Sequence, residues 1–135
     1  MTFTEAEIDY LNSQRLGRLS TVAPDGYPNN RPVLVHHNPQ TGTIDVTGFD
    51  LSQSGKWRNV GADPHVSFVV DDLASVKPWR PRGVEVRGDA ERLTGEGVSP
   101  FGDEVIRIHP RRILSWGLDP DSPRAMERRD VSAVG

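Results

Sequence analysis

The sequence predicts a mainly β domain of the α+β class: six antiparallel strands rolled into a small barrel, with short helices. Three observations predict it. Apolar and polar residues alternate along several short runs, as in "HVSFVVDD", where Val66, Phe68 and Val70 share one face. Those runs are separated by turn signals such as "DG" at 25–26 and "NPQTG" at 38–42. Helical spacing is confined to two short stretches, so strands must supply the layers around the core.

The elements follow in order. Thr4 and Glu7 stand at capping-box spacing, and Ile8 and Leu11 share a face beyond them, which predicts a helix over about 5–14. "RLGRLSTVAP" (15–24) is the first strand; the Asp25–Gly26 turn leads to the second, "RPVLVHH" (31–37). The third is "TIDVTGF" (43–49), with Ile44 and Val46 on one face. A second helix follows in "SQSGKWRNV" (52–60) and stops at "GADP" (61–64), because Pro64 cannot continue it. After the fourth strand at 65–71, "SVKPWRPR" (75–82) holds two prolines and reads as an irregular connection. "GVEVRGDAERL" (83–93) is the fifth strand, bent at Gly88. "TGEGVSPFGD" (94–103) reads as a loop, and "EVIRIHPRRILSWGL" (104–118) as the sixth strand, interrupted at Pro110. Residues 1–118 then make one domain. Residues 119–135 lack apolar periodicity and read as a loosely ordered tail.

Bulk properties narrow the function. A chain of 135 residues builds one core and not two. Its net charge of −3 speaks against a general nucleic-acid or acidic-membrane binder. The absence of cysteine excludes disulfides and thiolate metal sites. No apolar run approaches the roughly 20 residues of a membrane span. The acidic, amphipathic start is unlike a signal peptide, so the expected location is cytoplasmic. Neighbouring His36 and His37 point to opposite faces of a strand, and no third ligand is evident, so no metal site is expected. No Ser–His–Asp set, paired-carboxylate signature or zinc motif stands out.

The second helix is the chemically informative stretch. "GFDLSQSGKW" (48–57) is not a phosphate-binding P-loop: its glycine spacing is wrong, and Trp57 stands where a hydroxyl belongs. A more general mechanism remains. The first turn of a helix presents unpaired N–H groups and a partial positive charge, which suit a phosphate. Ser52 or Ser54 can cap, and Lys56 adds a full charge. Lys56 and Asn59 are neighbours on one face, while Trp57 and Val60 form a second pair that docks the helix and leaves the first free to meet a ligand. The alternative is a capped surface helix with a solvated lysine.

The order of pieces adds to this reading. "PDGYPNNRPV", "GKWRNVGADPHVSFVVDD", the late "RGVEVRGDAERLT" and the closing "IHPRRILSWGLD" together resemble the pyridoxamine-5′-phosphate-oxidase-like split β-barrel superfamily over roughly residues 4–118. The likeness is strongest to its actinobacterial flavin and deazaflavin oxidoreductases. It implies an FMN-binding type of split barrel and a homodimer with the coenzyme in the cleft between subunits. The implied coenzyme is F420, with FMN as the alternative. The implied activity is hydride transfer from the reduced coenzyme to a small unsaturated or conjugated substrate. By the same resemblance the phosphate falls near Thr47, Gly48, Ser54 and Lys56, with Asn59 close by, and the ring lies along Asn30, Arg31, Pro32 and Val33. Many relatives carry a second basic residue just before the lysine, where this chain has Ser54 and Gly55; either phosphate affinity is weaker here or Arg31 matches part of the charge, and the resemblance leaves both open. Trp79, in the basic and aromatic stretch "WRPRGVEVR", could reach the coenzyme across the dimer, and Trp116 could lie near it; a solvated edge, core packing or interface packing are the alternatives. Glu85, Asp89 and Glu91 dilute that stretch's charge against nucleic acid. Two rivals to the F420 enzyme stay open: a non-catalytic flavin-binding or storage protein, and an FMN-dependent oxidase of pyridoxamine phosphate. For the second, the chain looks short of the usual C-terminal extension.

Overall fold

The computed structural model describes residues 2–132. The chain opens with helix α1 (Glu5–Ser13), then β1 (Leu16–Val22), β2 (Pro28–Leu34), β3 (His37–Asn38) and β4 (Thr43–Val46). A single 3-10 turn (Leu51–Gln53) leads into helix α2 (Gly55–Ala62). Four strands complete it: β5 (His65–Ser75), β6 (Arg80–Ser99), β7 (Gly102–Trp116) and β8 (Met126–Asp130). All pairings are antiparallel and run in the order β2-β1-β5-β6-β7-β4-β3, with β8 also on β7. The mainly β class with two short helices is as expected.

The capping box at α1 forms in full: Thr4 Oγ1 accepts from Glu7 N–H, and Glu7 Oε1 accepts from Thr4 N–H. Alternation does its work in β5, where Val66, Phe68 and Val70 are buried. They join Leu19, Val84, Val86, Ile106, Ile108 and Ile113 in one core, closed below by Leu51, Trp57 and Val60 of the 3-10 turn and α2.

Several boundaries differ from the sequence reading. The second strand begins at Pro28 and ends at Leu34; His36 and His37 lie past it, and the short β3 is separate. β4 stops at Val46 because Thr47–Asp50 turn away, with Asp50 at φ 50°. Pro110 does not interrupt the last long strand. It pairs with Gly88 at a bulge, where a residue without N–H is tolerated, and the extra residue there is Arg111. The stretch 94–103 is not a free loop: β6 runs on to Ser99, with Gly95 and Gly97 at positive φ in an irregular register. The stretch from 119 holds β8, so it is not loose throughout. β8 lies along the end of β7, and Arg129 donates to both carboxylate oxygens of buried Glu7 and to the Thr2 carbonyl. Polar residues without apolar periodicity still make a strand when a long neighbour offers an open edge and a buried carboxylate waits for a partner.

Candidate functional site

Ser54 is the N-cap of α2. Its hydroxyl accepts from Trp57 N–H at 3.3 Å and donates to the Leu51 carbonyl at 2.6 Å. The start of α2 is thereby fixed against the core, with Trp57 buried beneath it. Lys56, the residue before Trp57, is half-buried and reaches the turn that follows β4. A Cβ built on Gly48 would lie 3.7 Å from Lys56 Nζ. The ammonium group therefore lies beside the backbone of this turn.

Arg31, exposed on β2, completes a cationic pair. Partial burial, and after it the charge of Arg31, hold the Lys56 ammonium below the usual lysine range. Arg31 donates only to the Asn30 carbonyl, and neither cation has an acidic partner among the described residues. An anion bound here would relieve the repulsion between Lys56 and Arg31 and favour the charged lysine. The first turn of α2 adds backbone donors and the positive end of its dipole. This set fits a phosphate group.

Thr47 borders the same turn and binds His36, whose Nε2 lies 3.1 Å from Thr47 Oγ1. The His36 ring stacks on Phe101, with centroids 4.5 Å apart and planes 15° from parallel. Burial pushes the His36 imidazole below its ordinary range, and the nearby Asp45 carboxylate offsets part of that. A neutral ring donates to the Thr47 hydroxyl in one tautomer and accepts from it in the other. His37 turns away, buried edge-on against Phe3. The alternation on which the two histidines were read thus separates them, but it gave no sign that His36 borders the site. Phe49, next to Gly48 in the chain, is 98% exposed.

The remaining candidates divide. Asn30 and Pro32 are exposed beside Arg31, whereas Val33 faces the core. Asn59 is not free to meet a ligand: it is buried and donates from Nδ2 to Thr21 Oγ1 at 3.0 Å, tying α2 to β1. Helical spacing put it beside Lys56 but could not say which of the two rolls under the helix. Within one chain, Trp79 and Trp116 lie apart from Lys56; the expected approach of Trp79 across the dimer concerns a second copy. They line a separate pocket with Pro78, Arg80, Pro81, Pro123, Arg124 and Met126. Among the described residues no cluster of His, Asp or Glu could hold a metal ion, and no helix is long and apolar enough to cross a membrane.

A family model described as pyridoxamine 5′-phosphate oxidase matches residues 3–117. The chain is 44% identical to a 5a,11a-dehydrotetracycline/5a,11a-dehydrooxytetracycline reductase of Streptomyces rimosus, over 98% of this chain and 96% of that protein. It is 31% identical to a pyridoxine/pyridoxamine 5′-phosphate oxidase of Sinorhizobium fredii, over 88% of this chain but 53% of that protein, so it spans about half the oxidase's length. Among solved structures, a conserved hypothetical protein, Rv2991, of Mycobacterium tuberculosis superposes with a TM-score of 0.69 at 27% identity, covering 98% of this chain and 94% of that one.

Proposed function

Because the chain belongs to the pyridoxamine 5′-phosphate oxidase family, we propose that it is an oxidoreductase that holds a flavin-type coenzyme by its phosphate. The observation that carries the reading is Lys56, a cation without an acidic partner among the described residues, set beside Gly48 at the first turn of α2, with the charge of Arg31 felt at its ammonium. Lys56 and Arg31 hold the phosphate, and the backbone of α2 adds donors. Asn30, Arg31 and Pro32 offer an exposed strand edge along which the ring lies. A reduced flavin-type ring, when bound, supplies the hydride; the chain binds, orients and excludes water. His36 keeps the Thr47 hydroxyl aimed at the site's rim.

The finer assignment is F420 as coenzyme, with a small unsaturated or conjugated molecule as substrate. It is supported by the resemblance to deazaflavin oxidoreductases and by the reductase from Streptomyces rimosus, whose name gives dehydro compounds as its substrates. A second copy of the chain completes the cleft. Leu16 and Leu34, cross-strand partners about half exposed, and exposed Leu73 supply apolar surface for it.

The test compares Lys56→Ala with the parent in titrations of FMN and F420. Losing a charge-assisted contact worth about 1.5–3 kcal/mol weakens binding roughly 10- to 150-fold. Unchanged affinity for both coenzymes would remove the phosphate assignment. Re-oxidation of the reduced coenzyme, followed optically across a panel of enones and quinones, tests the activity. Tight binding with no turnover anywhere in the panel would favour a storage protein.

A further inference from the structure

The β3–β4 turn and the segment leading into α1 enclose a pocket of about 380 Å³ at the start of β4, the opposite end of that strand from the Lys56 turn. Phe3, Ile8 and Pro39 give it apolar walls, and Gln40 and Thr41 stand exposed at its mouth. No Asp, Glu, Lys or Arg side chain lines it. Both walls are held. Gly42, at φ +68°, closes the turn by donating its N–H to the Asn38 carbonyl at 2.9 Å, and the Gln40 N–H donates to Asn38 Oδ1 at 3.0 Å. A Cβ built on Gly42 would fall 2.6 Å from Thr2 Oγ1, so the turn and the first residues are in close contact. The Thr2 carbonyl accepts in turn from Arg129, and Thr4 caps α1. His37 lines the pocket, 8% exposed, with the Phe3 ring edge-on to it at 5.3 Å between centroids. Neither of its ring nitrogens has a hydrogen-bond partner among the described residues, whereas His36, His65 and His109 each have one. No buried side-chain nitrogen among the described residues is sealed off without a partner, so the unpaired His37 nitrogens reach the pocket surface. A nearly buried polar group with no partner in the protein calls for one from outside. Burial also holds the imidazole below the ordinary histidine range, so the ring is neutral at neutral pH.

We infer that this pocket binds a small, neutral, planar heterocycle that carries a hydrogen-bond donor beside an acceptor. A neutral imidazole nitrogen donates in one tautomer and accepts in the other, so a ligand with both groups side by side pairs with either. Phe3, Ile8 and Pro39 offer apolar contact to the ligand's ring, and the exposed Gln40 amide can meet its outer edge. An ionised ligand would lose water here and find no opposite charge among the lining residues. The volume lies within the range of small-molecule sites. The pocket shares no residue with the Arg31–Lys56 site or with the Trp79–Trp116 pocket, so the inference does not depend on the coenzyme reading.

Calorimetric titration of the full chain with 7-azaindole, which is neutral and sets an N–H beside a ring nitrogen, tests it. The controls are 1-methylindole, which lacks both polar groups, and indole-2-carboxylate, which adds a charge. The parent should bind azaindole saturably and each control at least roughly fivefold more weakly, about what one neutral hydrogen bond contributes. His37→Phe keeps a ring in place but removes its nitrogens, and should lower azaindole affinity roughly fivefold or more. Gln40→Trp, at an exposed turn position, should block the mouth and abolish binding with an unchanged melt. In the parent, the His37 ring-nitrogen resonances should shift on titration while those of the already paired His65 and His109 stay; this readout holds even where His37→Phe fails to fold. Lys56→Ala should bind azaindole like the parent even where it loses coenzyme. No saturable binding by the parent, equal binding of azaindole and 1-methylindole, undiminished affinity in folded His37→Phe, or His37 resonances that stay fixed at saturation would overturn the inference. So would loss of azaindole binding in Lys56→Ala, because the probe would then sit at the phosphate site.

Discussion

Lys56 is where charge and burial meet most directly. Its ammonium is held below the usual lysine range by partial burial and then by Arg31. The sign follows: charged Lys56 costs folding stability at low and neutral pH, and that cost fades as pH rises through its depressed value. A bound phosphate reverses the bias, since it favours the charged form. Coenzyme affinity should therefore fall as pH rises through the depressed Lys56 value. Lys56→Arg, which stays charged, should flatten that fall. A fluorescence titration of FMN at a series of alkaline pH values checks this, and parallel profiles for both proteins would contradict it. Asp45 shows the opposite shift. Burial alone would raise its carboxyl, but hydrogen bonds from Arg107, Ser99 and Asn38 outweigh that and hold it below the usual range. Its stabilisation is complete above the ordinary carboxylate range and is lost as pH falls towards the depressed value. Glu7, paired with Arg129, behaves the same way. The melting temperature should accordingly drop between about pH 5 and about pH 3, around the ordinary carboxylate values. Asp45→Asn, which leaves Arg107 without its partner, should cost about 3 kcal/mol at neutral pH.

At the scale of the element, α2 has two faces with separable duties. Trp57 and Val60 dock it, Asn59 pins it to Thr21, and Arg92 covers the Trp57 ring at 5.6 Å. Trp57→Ala should cost about 3–5 kcal/mol of stability, with coenzyme binding lost only as a consequence. Lys56→Ala should leave the melt nearly unchanged. Thermal melts of the two variants beside their binding curves check the division; a Trp57→Ala protein that melts like the parent would refute it. β8 has a comparable duty at the other end of the chain. Arg129→Ala removes the partner of a buried carboxylate and should cost about 3 kcal/mol, the lower figure for a broken buried pair because Arg129 is itself partly exposed. Arg129→Ala with Glu7→Gln should recover part of the loss, because no buried charge is then stranded. A chemical denaturation series of the single and double variants measures it.

At the scale of the whole molecule, one chain offers an open cationic edge beside exposed leucines. In the proposed dimer, residues of β2, the turn after β4 and the start of α2 form one wall of the coenzyme cleft. The proposed second copy forms the other. Light scattering at micromolar concentration should give about twice the 14.9 kDa chain mass. Leu16→Glu with Leu34→Glu should shift the protein towards monomer and weaken coenzyme binding without lowering the melt of the isolated fold. A monomer that binds coenzyme tightly would remove the shared-cleft model.

The sequence by itself determined which residues could be core and where an anion could sit. Alternation at Val66, Phe68 and Val70, the Thr4–Glu7 capping box, and the placement of Lys56 one residue into a capped helix are local features, set within a few residues. The juxtaposition of Lys56 with Arg31 depended on tertiary structure, because two strands and a turn separate them in the chain. So did the burial of Asn59, since spacing along a helix fixes relative angles but not which face meets the sheet. Pro110 reads as a strand break until Gly88 opposite it supplies a bulge. β8 reads as a tail until Glu7, more than a hundred residues away, is left buried beside the edge of β7. In each case the deciding partner is distant in sequence, and the free energy comes from desolvation and charge pairing that exist only once the sheet has closed around them.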